Sequence, residues 1–248
     1  MYIQENIHEP ISLEKLASHV AYSPYHFSRL FKKQIGISPL YYVSSLRLQK
    51  AKEMLLKTNF TVRDIGLEIG QQSLGTFTTR FTERVGQSPA QFRKSIVEAG
   101  NQLEALKTLS AWDPVRTEKR VNVVRGTVQA EVPFKGVIFI GLFQKSIPEG
   151  LPLYGTVLYS PGNYLFTNVK PGKYYLMTTA ISWETKATDI LLPYTTLRDR
   201  SIDPIIVQNG IPLYQHDITL RGPRIDDPPI LISLPLLMRK FLNMINVK

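Results

Sequence analysis

The 248-residue sequence contains no cysteine. That excludes a disulfide framework and any thiolate metal site, and it suits a reducing compartment such as the cytoplasm. The four histidines, His8, His19, His26 and His216, are scattered without the spacing of a zinc site. There is no phosphate-cradling glycine loop and no GxSxG elbow. Asp226 and Asp227, near His216 and Asp217 in the chain, run into Pro228 and Pro229 and read as a polar turn. No nucleophile, base and acid stand in a recognisable set. The chain is therefore not read as an enzyme, and no catalytic residue, metal or cofactor is expected.

Long apolar runs are also missing. The stretch 150–169 has no charge and is about as long as a membrane-spanning helix. It holds Pro152, Gly155, Pro161, Gly162 and Asn163, which break helices, so it reads as strands and loops. Residues 2–10 are polar and lack the apolar region of a secretory signal. These features lead to the expectation of a soluble, cytoplasmic protein without a membrane partner. Acidic residues are scarce as well: 20 Asp and Glu face 30 Lys and Arg, a net charge of +10. Residues 1–100 carry 13 basic and 8 acidic side chains. Such an excess favours a polyanionic partner through counterion release and steering.

What is present, and repeated, is one helical unit used twice. Phe27, Phe31, Gly36, Ser38, Pro39 and Tyr42 recur as Phe77, Phe81, Gly86, Ser88, Pro89 and Phe92. Upstream, Leu13, Leu16, Ala17 and Val20 correspond to Val62, Ile65, Gly66 and Ile69. In the first unit Ser12 caps a helix with the spacing of one buried face, and Ala21 and Tyr22 form a turn. Ser23 then caps a second helix with Pro24 at its first position, where a missing N–H costs nothing. Phe27, Leu30 and Phe31 form the predicted inward stripe of that helix. In the second unit Thr61 and Asp64 make a capping-box pair, residues 70–73 turn, and a helix over 74–85 buries Phe77 and Phe81. Gly36 and Gly86 are placed as C-caps. Residues 39–57 have no glycine or proline after the first position and read as one linker helix.

The duplicated pattern, SPYHFSRLFKKQIGISPLYYV in the first unit and SLGTFTTRFTERVGQSPAQFR in the second, resembles the AraC/XylS DNA-binding domain over about residues 1–95. The resemblance implies a recognition helix from each unit in adjacent major-groove segments of one DNA face. It departs in the second unit, where the turn reads Gly70-Gln71 and a usual basic residue is replaced around Thr82-Glu83. The second helix is thus poorer in long donors, and unequal half-sites are expected.

Arg29 is the leading candidate for bidentate hydrogen bonds to guanine O6 and N7, the alternative being a phosphate clamp. Tyr25, His26 and Ser28 share its face and complete the base-contact set of the first unit. Leu74, Gly75, Thr78 and Thr79 occupy the matching positions of the second. Lys32, Lys33, Arg80 and Arg84, later in their helices, are read as phosphate contacts, the bland alternative being solvated charge.

Residues 98–109 look helical, with Trp112, Asp113 and Pro114 ending the connection. Beyond it the period changes to two. Runs at 121–132, 136–143, 164–169, 173–180, 205–207, 217–220 and 230–234 are rich in strand formers, and Pro161-Gly162, Pro171-Gly172 and Asn209-Gly210 punctuate them as turns. Residues 166–178, FTNVKPGKYYLMT, resemble the strand-turn-strand of transthyretin-like or carboxypeptidase-regulatory-like sandwiches. Residues 234–247 read as a closing apolar helix. Seven of the twelve tyrosines fall between Tyr154 and Tyr214. They either fill a sandwich core or line an effector pocket, for which Tyr164, Tyr175, Trp183 and Arg198 are the candidates, with Arg200 or Asp203 also able to orient a ligand.

The expected fold class is therefore multi-domain: an all-α tandem helix-turn-helix domain over 1–97, a helical connection over 98–119, and a mainly-β sandwich with a C-terminal helix over 120–248. The expected function is a sequence-specific transcription regulator governed by a small molecule or partner at the C-terminal domain. The alternative uses that domain only for dimerisation or polymerase contact. Double-stranded DNA is the expected partner, with RNA polymerase (for an activator), a small-molecule effector and a second copy as further candidates.

Overall fold

The computed structural model describes residues 2–109, 122–209 and 213–246. Seven helices come first: α1 (Tyr2–Glu5), α2 (Leu13–His19), α3 (Pro24–Ile35), α4 (Pro39–Lys57), α5 (Val62–Glu68), α6 (Leu74–Val85) and α7 (Pro89–Thr108). The two units are built alike. Ser23 Oγ accepts the His26 N–H and Ser73 Oγ the Thr76 N–H, each satisfying a donor that a helix start otherwise leaves open. Thr61 and Asp64 close a reciprocal capping box at α5. Helix α4 occupies the residues predicted for the linker. Helix α7 continues through Val97 and Glu98 without a break, while Trp112, Asp113 and Pro114 lie outside the described residues.

The units differ in how deeply they pack. Phe77 and Phe81 are fully buried, and Phe81 meets Phe92 of α7 edge-on at 5.8 Å. The equivalent Phe31 meets Tyr42 at 5.5 Å, but Phe27 and Phe31 stay only half-buried. Leu30, predicted to point inward, is exposed. It stands about 60–100° around the helix from the two phenylalanines, off the face that α4 covers.

The second half contains β1 (Val123–Ala130), β2 (Gly136–Phe143), β3 (Tyr154–Leu158), β4 (Gly162–Phe166), β5 (Gly172–Ser182), α8 (Ala187–Leu191), β6 (Leu197–Arg200), β7 (Ile205–Val207), β8 (Leu213–Gln215), β9 (Ile218–Leu220) and α9 (Leu234–Asn246). One sheet has the order β4-β1-β8, with β9 following β8 along the same strand β1; both pair with it in parallel. The other has the order β3-β2-β5-β6, with β7 also on β5. Strands β3, β6 and β8 and helix α8 add to the runs expected from the sequence, and the strand expected at 230–234 is instead an irregular segment entering α9. The reason lies in its hydrogen bonds: the N–H groups of Leu231 and Ile232 go to the Pro148 carbonyl, and the carbonyls of Ile230 and Leu231 go to Lys52 Nζ. A loop and a lysine have taken the place of a neighbouring strand.

Strand β2 explains the layering. All eight of its residues are buried. Ile138, Ile140 and Leu142 face the core between the two sheets, together with Val124, Tyr164 and Leu176. Val137, Phe139 and Phe143 face the opposite way, into a core shared with α9 and the helical half. That second core runs without interruption from Phe77, Phe81 and Phe92 through Leu103 and Leu106 to Leu234, Met238 and Phe241. Burying both faces of one strand makes three layers: sheet, sheet and helices.

Candidate nucleic-acid interface

Helices α3 and α6 are the second helices of their units, and each begins at a serine cap on the surface. On α3, Tyr25 is 78% exposed, and Arg29, Lys32 and Lys33 are exposed too. His26 and Ser28 are half-buried, His26 because its ring packs against Tyr22 at 5.0 Å. Tyr25 and Arg29 are four residues apart and share a face, as do Arg29 and Lys33. On α6, Leu74, Gly75, Thr79 and Arg80 are exposed and Thr78 half-buried. Arg80 lies 3.4 Å from Gln71 Oε1 of the preceding turn, which anchors it loosely beside the helix. The first half of each helix thus presents its candidates outward, with a long donor on α3 and short side chains on α6.

Arg84 departs from its predicted role. Its Nε donates to Glu149 Oε2 at 2.5 Å, its Nη1 to Ser44 Oγ at 3.0 Å and its Nη2 to Ser45 Oγ at 2.5 Å. The guanidinium lies 4.2 Å from the centre of the Tyr41 ring. Glu149 also accepts from Lys145 Nζ at 2.9 Å and from the Tyr41 hydroxyl. Both members of the Arg84–Glu149 pair are buried. A guanidinium spent in this way has no face left for a phosphate, so Arg84 joins the two halves of the chain instead.

The C-terminal half also meets the ends of both α3 and α6. Gly36 and Gly86 end α3 and α6 with φ of +87° and +91°, the left-handed conformation that favours glycine. A Cβ on Gly36 would collide with Ser146, and one on Gly86 with Leu236 of α9. Arg200 Nη1 donates to the Ile35 carbonyl at 2.9 Å at the end of α3. The Gly150 N–H donates to the Arg84 carbonyl at 2.7 Å, and the Ser233 N–H to the Val85 carbonyl at 2.9 Å, at the end of α6. The C-terminal half therefore grips the trailing ends of α3 and α6 and leaves their leading ends in solvent.

The four predicted pocket residues do not converge. Tyr164 belongs to the core between the sheets, its hydroxyl donating to the His216 carbonyl at 2.5 Å. Trp183 stacks on Tyr159 at 6.0 Å, and Tyr175 lies under Lys173, whose Nζ is 5.5 Å from its ring. Arg198 alone lines a cavity, of about 270 Å³, between the sheet containing β2 and helix α9. Its side chain is committed to the carbonyls of Thr196 (3.1 Å), Tyr194 (3.2 Å) and Pro193. Burial lowers the guanidinium to about 10, still charged at neutral pH. Arg200 serves the interface described above, and Asp203 is exposed. Asp227, which sequence reading set aside as part of a turn, binds Arg221 through both oxygens at 2.7 and 2.9 Å.

Residues 16–95 match the helix-turn-helix domain family. This part of the chain is an AraC-type helix-turn-helix domain. Over 95 residues the chain is 38% identical to the HTH-type transcriptional regulator YobQ of Bacillus subtilis, which covers 38% of this chain and 39% of that protein. Over 93 residues it is 40% identical to AdaA of the same organism, named a bifunctional transcriptional activator and DNA repair enzyme, covering 38% and 44%. A solved AraC-type transcriptional regulator from Chromobacterium violaceum matches at 31% identity and a TM-score of 0.37, over 38% of this chain and 84% of that one. The chain spans less than half the length of these curated relatives. Each of these matches covers 38% of this chain. Among the described residues no helix is long and apolar enough to cross a membrane.

Proposed function

We propose that the chain is a sequence-specific, DNA-binding transcription regulator whose C-terminal sandwich controls how its two recognition helices are presented. The observation that carries this reading is the shared grip: both helices are held at Gly36 and Gly86 by the C-terminal half, while Tyr25, Arg29, Leu74 and Thr79 stay exposed at the leading ends. In this arrangement Arg29 reads a guanine, Tyr25, His26 and Ser28 meet neighbouring base edges or thymine methyls, and Lys32, Lys33 and Arg80 hold phosphates. The second unit reads by shape and methyl contact through Leu74, Gly75, Thr78 and Thr79, so its half-site is the weaker one. Residues 1–97 form the reading domain in this account, and 120–248 the controlling one.

The experiment is selection of duplexes from a randomised pool by the full chain, followed by competition against random DNA at fixed salt. An asymmetric consensus preferred by roughly a thousandfold or more over random sequence supports the reading. Binding that depends on salt but enriches no sequence would reduce the chain to a non-specific polyanion binder.

A further inference from the structure

The cavity between the β2 sheet and α9 is walled by three segments that also touch the recognition helices. Its floor is the sheet face, where Gly141 of β2 pairs with Gly155 of β3 and Pro152 lies over the pair. Its roof is α9, through Leu234, Leu237 and Phe241. One side wall is formed by Pro148, Leu151 and Pro152, and another by Ile230 and Ile232. Leu151, Lys240 and Met244 are exposed and mark its opening.

The charged groups set deeper in the lining are already engaged, while Lys240 stands exposed at the opening. Arg198 binds three carbonyls, Arg200 binds the Ile35 carbonyl, and Asp227 is closed on Arg221. The Asp199 carboxylate accepts the N–H groups of Arg200 and Thr219. Beyond the opening, a charged ligand would give up its hydration to walls that are mostly apolar, which is expensive, whereas an apolar one needs only volume. A dry apolar cavity of about 150 Å³ accepts benzene. At about 270 Å³ this one has room for two fused rings.

The walls lead directly to α6. Pro148 accepts from Leu231 and Ile232, which ties the two side walls together. From that pair, Glu149 holds the Arg84 side chain, Gly150 holds the Arg84 carbonyl, and Ser233 holds the Val85 carbonyl. Two residues before Pro148, Ser146 stands against Gly36 at the end of α3.

From this juxtaposition we infer that the cavity binds an uncharged, apolar molecule of about bicyclic size, and that its occupancy is relayed through residues 146–150 and 230–233 to the trailing ends of both recognition helices. This deepens the reading of the chain as a regulator by naming the ligand class and the route. A ligand alters DNA binding only through a difference in its affinity for the two arrangements of these helices, and the effect is reciprocal.

The test uses the full chain with 1-aminonaphthalene, which is uncharged at neutral pH and fluoresces according to its surroundings, and with 1-naphthoate as its anionic counterpart. We expect saturable binding of 1-aminonaphthalene, with 1-naphthoate weaker by roughly tenfold or more. Leu237→Trp from the roof and Val157→Phe from the floor should each weaken binding by about the same factor, while Leu237→Met should leave it nearly unchanged. Amide hydrogen exchange should change on binding at residues 83–86 and 146–150. Absence of saturable binding, equal binding of the anion, or full binding by both filled variants would overturn the site. Binding with exchange altered only at the cavity would overturn the relay. None of these readouts involves DNA, so a failure here is distinguishable from a failure of the chain to read DNA.

Discussion

Arg84 of α6 and Glu149 of the β2–β3 loop form a buried ion pair, with Nε 2.5 Å from Oε2, across the junction between the helix-turn-helix domain and the sandwich. Removing one partner strands the other charge away from water. Arg84→Met should therefore cost about 3–5 kcal/mol of stability. The double change Arg84→Met with Glu149→Leu should recover part of it, though not all, because Lys145 and Tyr41 lose a partner as well. Urea unfolding of the three proteins measures this. A loss at Arg84 well under 1 kcal/mol, as exposed pairs give, would contradict the buried geometry.

Lys52 supplies a pH dependence. Its side chain is buried against Phe92, with Nζ 3.1 and 3.3 Å from the carbonyls of Ile230 and Leu231, and burial lowers its ammonium from 10.5 to about 7. In the unfolded chain it would hold its proton up to the usual lysine range. Between about pH 7 and 10.5 the unfolded state thus binds more protons at this site, so the site's contribution to stability rises with pH across that window and is flat below it. Lys52→Met should remove that slope. Chemical denaturation at pH 7, 8 and 9 on both proteins checks it, an unchanged slope in the variant being the adverse result.

Unequal reading by the two units is testable at single residues. Arg29→Ala should cost about 1–3 kcal/mol on the selected site and relax preference at one guanine. Lys32→Ala should weaken all sequences alike and reduce the salt slope by about 1. Thr79→Ala should do less than Arg29→Ala. A larger effect at Thr79 would reverse the ranking of the units.

The linker sets a length. Helix α4 has 19 residues, hence about 28 Å at 1.5 Å per residue, shorter than the ~34 Å of one DNA turn. If α4 sets the separation of α3 and α6, straight DNA does not reach both helices, and the site should bend toward the protein. Circular-permutation gel shifts showing straight DNA with both grooves protected would refute this.

Much of the helical domain was legible because its signals are local. Ser-Pro starts, glycine ends and paired phenylalanines are set by capping and steric rules that act within a few residues. The role of Arg84 was half legible: it lies seven residues after Phe77 and three after Phe81, on the same buried face, yet its partner Glu149 is 65 residues away and unmarked by any pattern. Strand β2, GVIFIGLF, was expected as a strand, but the meaning of its unbroken apolar run, burial on both faces, came only with the structure. What covers the second face, α9 and the helical domain, is a matter of long-range packing. The same limit explains the aromatic pocket that did not form. Tyrosines suit strands as readily as binding sites, and neither role leaves a distinct spacing.

The most direct test of the account is methylation interference and hydroxyl-radical footprinting of the full chain on its selected duplex. The prediction is two protected major-groove segments about one turn apart on one face, with interference at a guanine in the stronger half that disappears in Arg29→Ala. Protection of a single groove segment, or interference unchanged in Arg29→Ala, would contradict it.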